Sequence, residues 1–155
     1  MKSFIFVFSL IAIILTVNAV PSQHNKRGIT FQSCPNHNPL PVTIKPDPPV
    51  ANQLVLFNVS GTLTKDIIMS EITSLKVYFL DKSLIEISRP YNQYFNKTYN
   101  VGTLFTMAVN VSVPNLPDSY IIVVSVGDMF GDSFSCLYAG DGNADSICGH
   151  YCFTF

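Results

Sequence analysis

Residues 104–113, LFTMAVNVSV, alternate without a break: Phe105, Met107, Val109, Val111 and Val113 fall on one face of an extended chain, and Thr106, Ala108, Asn110 and Ser112 on the other. A period of two is that of a half-buried β-strand whose apolar face meets a core. Asn110 also opens the sequon Asn110-Val111-Ser112, and a glycan acceptor has to be wet, which assigns the polar face to solvent. Downstream, Pro114-Asn115-Leu116-Pro117-Asp118 is a turn. Residues 120–126, YIIVVSV, then read as a nearly continuous apolar strand in the middle of a sheet, ended by Gly127-Asp128 and Gly131-Asp132.

The same reading extends upstream. Residues 54–60 place Val55, Phe57 and Val59 on one face and Leu54, Leu56, Asn58 and Ser60 on the other, and the sequon Asn58-Val59-Ser60 again marks the wet side. In residues 74–80, Leu75, Val77 and Phe79 oppose Ser74, Lys76 and Tyr78, and Asp81-Lys82-Ser83 turns the chain into residues 84–88 as a hairpin. A strand is expected around residues 134–138, a Gly-, Asp- and Asn-rich loop over residues 140–149, and a short terminal strand over residues 151–155. No helical period appears after Gly28. About seven strands make an all-β sandwich, and residues 28–155 form one domain without repeats.

The N-terminus reads as a processed segment. Lys2 precedes an apolar run of about a dozen residues, too short for the roughly 20 a membrane span needs, and Val17-Asn18-Ala19 has the small side chains of a cleavage site. Residues 1–19 are read as a secretory signal peptide, and Lys26-Arg27 before Gly28 makes residues 20–27 a candidate propeptide. The expected destination is the extracellular space or the lumen of the secretory and vacuolar-lysosomal pathway. All four cysteines, Cys34, Cys136, Cys148 and Cys152, lie beyond the signal; an even number in an oxidising compartment means two disulfides, with three pairings open. Asn96-Lys97-Thr98 is a third sequon, so Asn58, Asn96 and Asn110 are the glycosylation candidates.

Charge narrows the partners. Nine Lys and Arg against ten Asp and Glu give a net charge of −1, and loss of Lys2 with the signal leaves −2. Without a basic cluster nothing neutralises a phosphate backbone, so nucleic acid is excluded as a partner.

The order of motifs resembles the ML (MD-2-related lipid-recognition) family. Cys34 is followed by Val42-Thr43-Ile44-Lys45-Pro46-Asp47-Pro48-Pro49-Val50 and then by Gln53-Leu54-Val55-Leu56-Phe57-Asn58-Val59-Ser60-Gly61-Thr62-Leu63. That is similar to the family's early cysteine, its strand ending in a Pro-Asp-Pro-Pro turn, and its strand ending in Ser-Gly-Thr. Phe134-Ser135-Cys136-Leu137 resembles the late cysteine strand, and residues 114–126 resemble the penultimate hairpin. Fungal phosphatidylglycerol/phosphatidylinositol transfer proteins and Niemann-Pick C2-like sterol carriers are the members it is most similar to. The family's middle cysteine pair is missing from residues 91–100, which carry Tyr91, Tyr94 and Phe95 instead. The resemblance implies that Cys34 pairs with Cys136, leaving Cys148 with Cys152. It also implies an immunoglobulin-like sandwich with a lipid cavity between its sheets.

The physics of such a carrier is simple. Each lipid CH₂ buried between the sheets saves about 0.8 kcal/mol of contact with water, and leaving a bilayer costs a similar amount. Exchange is therefore nearly balanced and needs neither chemistry nor a cofactor. The lipid-lining candidates are Phe57, Val59, Val77, Phe79, Phe105, Met107, Val109, Ile122 and Val124. An ordinary sandwich core uses the same residue types on its inner faces. The expectation is a monomeric carrier of phospholipid in transient contact with membranes; sterol binding and transport is the first alternative. A non-transporting extracellular adhesion or structural sandwich with a filled core is the alternative from another class.

Other chemistry is set aside. Cys34, His37, Cys148, His150 and Cys152 have metal-compatible spacing, but an oxidising compartment favours disulfides over zinc. Asp141-Gly142-Asn143-Ala144-Asp145 imitates the opening of a calcium loop, yet Ser146 stands where that loop needs glycine and Cys152 where it needs glutamate. No Gly-x-Ser-x-Gly elbow exists, and Glu71 and Glu86 do not assemble an acid with a base. No enzyme is expected. Lys65, Lys76, Lys82, Arg89 and Lys97 are scattered, suited to solubility or to meeting lipid phosphates at a cavity mouth.

Overall fold

Strands form where the chain alternates, and the alternation decides what each buries. The computed structural model describes residues 28–140 and 142–152. The expected signal peptide and propeptide lie outside those residues, as do positions 153–155 of the expected terminal strand. The described residues form β1 (Gln32–Ser33), β2 (Val42–Lys45), β3 (Leu54–Gly61), β4 (Thr73–Asp81), β5 (Tyr91–Tyr94), β6 (Phe105–Ser112), β7 (Tyr120–Asp128), β8 (Ser133–Gly140) and one helix, α1 (Ala144–Tyr151). A five-stranded antiparallel sheet, β1-β8-β7-β4-β5, faces a three-stranded one, β2-β3-β6. The all-β sandwich holds, with eight strands instead of about seven.

The small sheet follows the pattern residue by residue. Val55, Phe57 and Val59 of β3 are buried opposite Val111, Val109 and Met107 of β6, while Asn58, Ala108 and Asn110 stay exposed on the outer face. The large sheet supplies Leu75, Val77, Phe79, Ile122, Val124, Val126 and Leu137, and the two inner faces close one core. As expected, β7 is central, between β8 and β4. A bulge between Val126 and Gly127 sits where a Cβ on Gly127 would strike the backbone of Asp132, so only glycine fits the β7–β8 corner.

Three expectations need correction. Residues 84–88 do turn back on β4, the Asp81 amide donating to the Ile85 carbonyl at 2.9 Å and the Ile87 amide to the Phe79 carbonyl at 2.8 Å around a Leu80–Glu86 bridge, but they form no continuous strand, and the strand partner of β4 on that side is β5. The expected loop over residues 140–149 contains most of α1, and Tyr151 of the expected terminal strand ends that helix. Asn143 caps it, its side chain accepting from the Ser146 amide at 3.2 Å, with Asp145 in the first turn and His150 in the last. Ile147 is fully buried and anchors the helix on Leu80, Ile121, Val123 and Tyr138. The large sheet is therefore covered on part of its outer face too, which is why Leu80 is buried despite facing away from the main core.

Around that second core the Tyr78 and Tyr151 rings lie 5.2 Å apart, and the Tyr151 hydroxyl donates to the Leu84 carbonyl at 2.6 Å. Burial raises the Tyr78 phenol above its ordinary pKa, and Glu86 and Tyr151 push the same way. A phenol raised in the folded state leaves the native chain holding more protons than the unfolded chain above about pH 10, so stability falls as pH rises through that window. Urea midpoints should be flat up to about pH 9 and then drop. Tyr78→Phe should soften the drop, and an unchanged pH profile in that variant would contradict the assignment.

The cysteines correct the implied pairing. Cys34 bonds Cys148 and Cys136 bonds Cys152, each with its Cα atoms 5.7 Å apart. Cys34 does lie beside Cys136 in the backbone, its amide donating to the Cys136 carbonyl at 2.9 Å. However, Cys148 is on α1 and Cys152 is its C-terminal cap, four residues on. Groups so spaced point the same way and sit about 5–6 Å apart at Cβ, too far for a mutual disulfide but right for two bonds into the surface beneath.

Candidate functional site

Among the described residues the two sheets share no strand pairing on either side. β5 ends the large sheet, β6 ends the small one, and no strand pairing joins them. Between them runs an open groove of about 480 Å³, lined by Tyr91, Gln93, Tyr94, Phe95, Asn96 and Tyr99 on one lip and by residues 106–110 on the other. That volume is in the range of small-molecule sites. β6 turns Met107 and Val109 inward because of its period of two, whereas β5 and the residues after it bring aromatic rings to the opposite lip.

An aromatic cluster closes one end of the groove. The Phe95 and Phe105 rings are 5.5 Å apart and nearly perpendicular, and Tyr99 is 6.2 Å from Phe95 and 6.0 Å from Phe105. The loop carrying them is held by Ile68, whose amide donates to the Tyr99 carbonyl at 3.0 Å and whose carbonyl accepts from the Tyr99 amide at 2.8 Å. The Lys97 ammonium stands 5.4 Å from the centre of the Tyr99 ring, a cation within reach of the lip. The groove thus has Met107 and Val109 on its floor, aromatic rings on one wall, an exposed lining that is more polar than apolar, with Gln93, Asn96, Thr106 and Asn110 on its lips, and one flanking positive charge.

The nine lining candidates divide. Met107 and Val109 line the groove, and Phe105 stands behind it in the aromatic cluster. Phe57, Val59, Val77, Phe79, Ile122 and Val124 are in the core between the sheets, each with 2% or less of its surface exposed. Side chains so covered adjoin no water-sized space, so an acyl chain reaches them only if the sheets separate further. Phe95 and Tyr99 were not among the candidates; the excess of aromatics in a segment with no strand pattern was their only trace.

The three sequon asparagines are all exposed. Asn58 and Asn110 share the outer face of the small sheet, while Asn96 lies just beyond β5 on the far lip of the groove. Cys34, Cys136 and Cys152 bring their sulfurs within 4.8 Å of one another, and with Cys148 they are consumed by the two disulfides. Among the described residues no helix is long and apolar enough to cross a membrane.

No family model and no curated protein sequence matches the chain. Among solved structures the fold is similar to the crystal structure of chicken MD-1 complexed with lipid IVa, with a TM-score of 0.50 and 11% sequence identity over 73% of this chain and 88% of that one. At that identity the likeness is one of architecture: this chain has a two-sheet β-sandwich like that of MD-1.

Proposed function

We propose that this chain is a secreted or lumenal lipid carrier, which takes one phospholipid into the seam between β5 and β6 and moves it between membranes. The observation that supports this best is the groove itself: an aromatic-walled opening with Met107 and Val109 on its floor, at a junction where the two sheets share no strand pairing. Separating the sheets there breaks no strand pairing, and acyl chains would replace the side-chain contacts given up. Lys97 is placed to meet a phosphate at the lip. The solved neighbour's complex with lipid IVa agrees with lipid as the ligand class.

One end of the sandwich suits delivery. Gly61 pairs with Phe105, Thr73 with Asp128 and Ser74 with Tyr94, so residues 62–72, 95–104 and 129–132 all form loops at that end. They expose Ile67, Met69, Val101, Leu104, Met129 and Phe130, of which Leu104 at 66% and Phe130 at 77% are the most open. Apolar side chains on loop tips beside the groove would enter the headgroup region without a strong field from either sign of charge.

The test is transfer of a fluorescent phospholipid from donor to acceptor vesicles. The chain should accelerate transfer, and Leu104→Asp with Phe130→Asp should slow it about thirtyfold, because each inserted side chain contributes ~1 kcal/mol. Loading from dispersed lipid should be unchanged in that variant. Transfer of a fluorescent sterol but not of phospholipid would replace the cargo and leave the seam in place.

A second reading, a non-transporting adhesion or structural sandwich, is favoured by one observation: the full burial of Phe57, Val59, Val77, Ile122 and Val124 in a packed core. It predicts no lipid uptake at all.

A further inference from the structure

Among the described residues the sandwich has four open strand edges, and three of them are managed in recognisable ways. β1 is two residues long, β5 is four, and β2 ends in Lys45 followed by Pro46. Short strands, an edge lysine and a proline each block pairing with a second chain. β6 has none of these. Its eight residues, FTMAVNVS, contain no charge and no proline, are rich in β-formers, and leave one side without a partner strand among the described residues. A segment of that length and composition at an edge is a template for intermolecular pairing.

Asn110 sits on this strand, exposed on its outer face, and opens the sequon Asn110-Val111-Ser112. Across the groove, at the end of β5, Asn96 opens another. We propose that Asn110 carries an N-linked glycan whose work is to guard the open edge of β6, with a second glycan on Asn96 screening the opposite lip. A glycan there is bulky and strongly hydrated, so it blocks the approach of another strand while leaving the groove open to a slender acyl chain. Because Asn110 is paired with Leu56 in β3, the same sugar also shades that exposed leucine. Asn58 has a different place: it lies on the central strand β3, bonded on both sides, and guards no edge.

The proposal requires the secretory routing argued above but not lipid carriage. The test is the full chain secreted from a eukaryotic host, with glycopeptide mapping followed by light-scattering chromatography over a range of protein concentrations. Asn110 should be occupied, and the wild-type chain should stay monomeric. Asn110→Gln should shift mass from monomer to dimer and larger species, Asn58→Gln should not, and adding Ala108→Lys to Asn110→Gln should restore the monomer by putting a charge on the same exposed face. If Asn110→Gln is not secreted, the folded wild-type protein trimmed by endoglycosidase to a single sugar replaces it and should self-associate in the same way. An unmodified Asn110 in secreted protein, or trimmed protein that remains monomeric, would overturn the proposal. A chain that never enters the secretory pathway overturns the routing and the proposal with it.

Discussion

Replacing Cys34 and Cys148 together by alanine is expected to lower folding stability by about 4–5 kcal/mol, against about 3 kcal/mol for Cys136 and Cys152 together. The difference follows from the chain each bond closes. Cys34 and Cys148 are 114 residues apart, and tying them removes far more freedom from the unfolded chain than tying Cys136 to Cys152 across 16. A domain of this size has only about 5–15 kcal/mol in all, so the first double variant should stand near the limit of folding at physiological temperature. Urea unfolding of both variants measures the difference, and non-reducing peptide mapping should link Cys34 to Cys148. A Cys34–Cys136 peptide, or equal losses in the two variants, would contradict the pairing described here.

The second large effect is expected from Phe105→Ala, at about 3–5 kcal/mol. Phe105 is 1% exposed, opens β6 opposite Gly61, and meets both Phe95 and Tyr99, so its removal leaves a void where the groove closes and takes two aromatic contacts with it. The adjacent Leu104 is 66% exposed, and Leu104→Ala should change stability by no more than about 0.5 kcal/mol. This pair of neighbours tests the orientation of the chain as it enters β6. Similar losses at both positions would mean that the strand is turned over.

The same strand shows how much was legible beforehand. Its inner and outer faces could be read from the alternation of residues 104–113, and those of β3 from residues 54–60, because one-sided burial writes its period into the sequence. What escaped had no such period. β5 is Tyr91–Tyr94, four polar or half-polar residues that stay largely exposed, so its pairing with β4 leaves no mark on hydrophobicity. α1 is eight residues long, too short to be stable by itself, and exists because Ile147 and two disulfides hold it against the large sheet. The pairing implied by the family resemblance fails at the same place, since a helical turn aims Cys148 and Cys152 in one direction, toward Cys34 and Cys136. The groove was legible in part: Met107 and Val109 follow from the face of β6, but Phe95 and Tyr99 owe their places to a loop conformation. Whether inner positions meet a neighbour or a gap depends on how far apart the sheets stand, and residue types do not encode that distance.

The central claim is that the seam between β5 and β6 admits a lipid, and native mass spectrometry with organic extraction tests it most directly. The chain should be secreted from a eukaryotic host and purified without detergent, alongside Met107→Glu, which places a carboxylate on the groove floor where an acyl chain would have to desolvate it. The account predicts one bound phospholipid per wild-type chain and none on the folded variant. A wild-type chain that is lipid-free and takes up nothing from vesicles would contradict the account and leave the filled-core sandwich in its place.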